Sequence, residues 1–129
     1  MGPVEVAIRA TFTAPVTLYT FGMHKPFKLS EIDEDGIVLR LGEGGTYAGL
    51  SWEKCLEPIP AFLRSRGWIR AGGTKSISGE PGTLDEYLKD NCTPTLASRW
   101  LAVVLADAGV VDIDEGPPLC VRLRLGFGH

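Results

Sequence analysis

Thr93-Pro94-Thr95-Leu96-Ala97-Ser98-Arg99-Trp100-Leu101-Ala102-Val103-Val104-Leu105-Ala106-Asp107-Ala108-Gly109-Val110-Val111 carries its own punctuation for a helix. Thr93 offers a side-chain acceptor at a cap position, and Pro94 stands at the first helical position, where a missing N–H costs nothing. Gly109 suits the left-handed residue that follows a helix. Between them Ala97, Leu101, Val104, Leu105 and Ala108 fall on one face, flanked by Leu96, Trp100 and Val103. Thr95, Ser98, Arg99, Ala102 and Ala106 are left as a narrow, weakly polar outer face. The pattern predicts a helix over Pro94–Ala108 and a strand after Gly109.

Downstream, Asp114-Glu115-Gly116-Pro117-Pro118 reads as a turn, and Leu119 to Leu125 alternates. Leu119, Val121, Leu123 and Leu125 should face inward, with Cys120, Arg122 and Arg124 facing out. Upstream, Thr83-Leu84-Asp85-Glu86 is a capping box that starts a short helix, which ends near a tight turn at Asn91-Cys92-Thr93. Residues 71–82 are rich in Gly and Ser and read as a loop. Trp68-Ile69-Arg70 can form a short strand. Ser51 is a good N-cap for a helix beginning at Trp52, but Pro58 and Pro60 interrupt it. A second short helix, Pro60 to Arg66, is expected to stop at Gly67.

Residues 1–50 have a period of two. Val4, Val6, Ile8 and Phe12 predict a strand over residues 4–13, and Val16 to Phe21 a second. Phe27, Leu29 and Ile32 lead to a turn at Asp33-Glu34-Asp35-Gly36, where Gly36 can take a positive φ. Ile37–Leu41 and Thr46–Leu50 complete a small antiparallel sheet. The fold class is therefore α+β: a β-rich subdomain over residues 1–50, a helical module over 51–126, and a tail at 127–129.

From Ser51 the expected order is helix, short strand, short helix, tight turn, longer helix, strand, turn, strand. This order, with a capped helix closing on Leu105-Ala106-Asp107-Ala108-Gly109-Val110-Val111 and entering a hairpin, resembles the winged helix-turn-helix family over residues 51–126. The resemblance implies non-catalytic binding of duplex DNA, as a regulator or a DNA-targeting component. The helix from Pro94 would enter the major groove, and the hairpin would be the wing. Family-type contacts would fall on Thr93, Thr95, Ser98 and Arg99, with Arg122 and Arg124 touching phosphates from the wing. The same fold also serves as a protein-docking module, so a protein partner without nucleic acid is the alternative. Winged-helix regulators often dimerise, and the apolar character near Trp52 and Trp68 would permit a homodimer.

Composition narrows the remaining choices. The 129 residues are 44% hydrophobic and 22% charged, which suits one core and argues against disorder. The net charge of −3 is spread evenly, without the basic excess usual in a dedicated nucleic-acid binder. The longest apolar run, Trp100 to Ala106, is too short to span a bilayer, and no signal-peptide pattern is visible. Cys55, Cys92 and Cys120, an odd number at long spacings, suit free thiols in a reducing compartment. A cytoplasmic protein is expected. No cofactor motif, metal set or catalytic constellation stands out. Gly72-Gly73-Thr74-Lys75-Ser76 lacks the order of a phosphate loop, although Lys75 could lend a charge to a phosphate. Gly42-Glu43-Gly44-Gly45-Thr46-Tyr47 has Tyr47 where a dinucleotide fingerprint needs glycine. The acids Glu31, Asp33, Glu34 and Asp35 lack calcium-loop spacing, and His24 has no identified partner.

Overall fold

Alternation governs residues 16–51. Strands β1 (Val16–Tyr19), β2 (Pro26–Ile32), β3 (Gly36–Leu41) and β4 (Thr46–Ser51) form an antiparallel sheet in the order β1-β2-β3-β4. The structure is a computed structural model that describes residues 1–22, 24–41, 45–72, 82–92, 97–116 and 118–127. Phe27, Leu29, Ile37, Leu39, Leu41, Ala48 and Leu50 are buried on the inner face. The β2–β3 turn is tied by Asp33, whose Oδ1 accepts from the N–H of Asp35 (2.9 Å) and of Gly36 (3.1 Å). Gly36 does not use a positive φ. Its reason is space, because a Cβ there would collide with the Leu50 carbonyl oxygen on β4.

The expected strand over residues 4–13 is instead a helix, α1 (Pro3–Thr11). Val4, Ile8 and Phe12 recur every fourth residue, so the same apolar positions satisfy a helical stripe, while Val6 is exposed. Pro3 occupies the first turn, and Glu5 pairs with Arg9 one turn on at 2.8 Å. The deciding partner is remote. The Glu57 carboxylate accepts from the N–H of Val4 (3.0 Å) and of Glu5 (2.8 Å), satisfying two orphan donors at the helix start.

From Ser51 the order follows the expectation closely. Ser51 Oγ accepts from the Lys54 N–H (3.2 Å) and starts a single π-helical turn, Trp52–Leu56. Helix α2 (Ile59–Arg64) follows the proline break, and Gly67 takes a φ of 65°. Strand β5 (Ile69–Arg70), helix α3 (Leu84–Asn91), helix α4 (Ser98–Asp107) and strands β6 (Val111–Asp114) and β7 (Cys120–Leu123) come next. Thr83 caps α3 by accepting from the Glu86 N–H (3.1 Å), while Glu86 reaches back to the Gly82 N–H (3.1 Å). The second sheet is antiparallel with order β5-β7-β6, so the short strand pairs with the last one. Leu125, expected inward, is 99% exposed because β7 ends at Leu123.

One apolar core runs through both parts, from Val4, Ile8 and the inner face of the first sheet to Leu101, Val104 and Val121. Helix α1 and strand β1 both pack against α4. The cysteine expectation needs correction: Cys55 and Cys92 form a disulfide, their Cα atoms 5.2 Å apart and 37 residues apart in sequence, leaving Cys120 as a free thiol. Among the described residues no helix is long and apolar enough to cross a membrane.

Candidate functional site

Hairpin β6–β7 is the element that the sequence expectation takes as a wing. Register places Asp112 opposite Arg122, and Trp68 precedes β5, whose Ile69 and Arg70 lie opposite Val121 and Cys120. Side chains alternate across a strand, so Arg70, Cys120, Arg122 and Asp112 share the outward face. Arg122 Nε donates to Asp112 Oδ2 (3.2 Å) and Arg124 Nε to Oδ1 (3.1 Å). The hydrogen bond from Arg124 is the first cause that holds the Asp112 carboxyl below its usual range; partial desolvation opposes it, and Arg122 adds to it. The Arg122 guanidinium also lies 4.6 Å from the centre of the Trp68 ring. That tryptophan is 44% exposed. The tip of the β6–β7 hairpin carries Asp114 and Glu115, both exposed.

Helix α4 differs from the expected reading head. Ser98 and Ala102, assigned to its open face, are 4% and 0% exposed. Ser98 therefore cannot meet a groove from this position. It lies beside Asp85, because a Cβ at Gly72 would sit 2.6 Å from Asp85 Oδ2 and 3.4 Å from Ser98 Oγ. Asp85 is itself buried, and among the described residues its Oδ1 has no hydrogen-bond partner. Its place in the first turn of α3 gives the carboxylate a favourable helix dipole. Arg99 is exposed.

Of the three expected arginines, Arg122 and Arg124 meet on Asp112, while Arg99 does not join them. Arg124 lies at the carboxy-terminal end of α4, its Nη1 3.4 Å from the Cβ position of Gly109. Arg99 is in the first turn of the same helix, about 15 Å away along the axis. Lys75, Thr93 and Thr95 lie outside the described residues, as does the stretch Gly42-Glu43-Gly44. Trp52, offered as a dimer contact, is buried at 5% exposure and donates its Nε1–H to the Asp33 carbonyl at 2.8 Å.

Sequence reasoning missed the role of Asp112, which accepts a hydrogen bond from both Arg122 and Arg124 and offsets one of their two charges. The signal was present, since register places residues 112 and 122 as a cross-strand pair of opposite charge. It also missed the outer face of the first sheet, where Tyr19 and Tyr47 are 57% and 56% exposed. Among the described residues no group of three or more His, Cys, Asp or Glu side chains could hold a metal ion. No family model matches this chain, and no solved structure matches it.

Proposed function

We propose that the chain is a non-catalytic binding module on the winged-helix plan, docking a protein partner through the outward face of β5-β7-β6 with Trp68 as the anchor. The element order α2-β5-α3-α4-β6-β7, with β5 paired to β7, supports the winged-helix plan. The observation that carries the docking reading is the burial of Ser98 and Ala102. A helix that reads duplex DNA presents such a face to the groove, whereas this one is packed on. Trp and Arg are the residue types that concentrate binding energy at protein interfaces, and Trp68 with Arg122 supplies both on an uncovered sheet face. The acidic wing tip and the hold of Asp112 on both wing arginines weigh against phosphate contact there.

The experiment has two arms. Titration of mixed-sequence duplex DNA at low and moderate salt is expected to give no salt-steep binding. Steep binding that weakens in Arg99→Ala, Arg122→Ala and Arg124→Ala would restore the duplex-DNA reading. In the second arm, tagged protein is recovered from its host with bound partners. The partner should be lost with Trp68→Ala and retained with Tyr47→Ala, and retention with Trp68→Ala would sink the proposed face. A cytoplasmic site of action now competes with the Cys55–Cys92 disulfide, a bond that oxidising compartments favour. A thiol count on protein trapped in its host decides: three free thiols mean a reducing setting, one an oxidising setting.

A further inference from the structure

The outer face of the first sheet carries an arrangement that the docking proposal does not use. Register aligns Thr17, Lys28, Arg40 and Tyr47 in one row across all four strands, and Tyr19 stands two residues beyond Thr17 on the same side. All five are exposed. The Arg40 guanidinium lies 6.0 Å from the centre of the Tyr47 ring. Lys25 enters β2 beside Pro26, the partner of Tyr19. Among the described residues this end of the face is therefore basic and aromatic. Acids collect at the other end: Glu31 stands opposite Val38, and Asp33, Glu34 and Asp35 form the turn beyond.

From these positions we infer that the Tyr19–Lys28–Arg40–Tyr47 face binds single-stranded nucleic acid. Two exposed phenol rings lie at opposite edges of the sheet, roughly 16 Å apart by strand spacing and residue rise. Lys28 and Arg40 stand between them. Base-stacking rings interleaved with cations are what an unpaired strand requires, because each base has a free π-face and each linkage a charge. A duplex hides its base faces, so two exposed rings on the face would gain no stacking partner from it. An acidic peptide would satisfy the two cations but would leave both rings without stacking partners. The acidic end sets the path, since it repels phosphate and directs the strand across β1 to β4 rather than along them.

The test uses the full chain and a labelled mixed-sequence DNA strand of about 15 nucleotides, within the range a sheet platform covers. Binding read by fluorescence anisotropy is expected, with at least a tenfold preference over the same sequence as duplex. Tyr47→Ala and Tyr19→Ala should each weaken it by about tenfold, while Tyr47→Phe keeps the ring and the affinity. Lys28→Ala and Arg40→Ala should each flatten the salt dependence by about one counterion. Trp68→Ala should leave strand binding unchanged, which separates failure here from failure of the docking face. Circular dichroism confirms that each surface variant is folded. Absent strand binding, equal affinity for duplex, or affinity indifferent to both tyrosines overturns the inference. Displacement by poly-glutamate as effective as displacement by unlabelled strand does so too, and makes the face a protein contact.

Discussion

Tyr87 joins pieces of chain that are far apart in sequence. Its phenol donates to the Cys55 carbonyl at 2.6 Å, and its ring centre lies 4.7 Å from that of Phe62. Burial pushes its pKa up from 10.0 to about 12, because the phenolate would lose water without gaining a counter-charge. A folded pKa above the unfolded one means that folding favours the protonated ring. That contribution is complete below pH 10 and is lost as the pH rises from 10 towards 12. An alkaline titration followed by tyrosinate absorbance should show a late step near 12 that is missing in Tyr87→Phe. Absence of such a step in the wild-type protein would mean that the ring is solvated. Glu57 has a comparable reach, since one carboxylate supplies the cap of a helix that sequence alone could not complete.

At the scale of elements, α4 decides what the molecule can bind. Leu101 to Leu105 are all buried, and a helix that is apolar nearly all round belongs inside a protein. The Ser98 and Ala102 positions of the expected outer face therefore tolerate no charge. Ala102→Arg should cost at least about 3 kcal/mol or prevent folding, since it forces an unpaired cation into the core. Arg99→Ala, one turn earlier, should stay within about 0.5 kcal/mol. Urea unfolding of both variants checks the pair, and equal tolerance would mean that α4 is uncovered after all. Much of this level was legible. Period-two alternation marked β1 to β4, and the Ser51 and Thr83 caps, the proline break and Gly109 marked the helices. The apolar run from Leu101 to Leu105 held the sign of a covered helix, yet Ala102, buried within it, falls on the expected open face. Alternation at Val4, Val6 and Ile8 misled because residues 4 and 8 also repeat with a helical turn. Glu57, which settles the choice, lies 53 residues beyond Val4.

At the scale of the whole molecule, the disulfide closes the segment that holds α2, β5 and α3. Nothing in the cysteine spacing announced it, because a bridge across 37 residues depends on how the chain folds back. Constraining that much unfolded chain is worth roughly 4 kcal/mol on the chain-entropy account. A thiol reductant should lower the unfolding free energy by about that amount, and Cys55→Ser should match the reduced protein. No change in the denaturation midpoint on reduction would mean that the bridge is absent in solution. The cap on α1 has a different consequence, concerning time rather than energy. A ribosome delivers Val4 and Ile8 long before Glu57 and α4, so the nascent chain can complete its first sheet while α1 still lacks its berth. Docking of α1 is thus a delayed act of synthesis, waiting on residues made well after it.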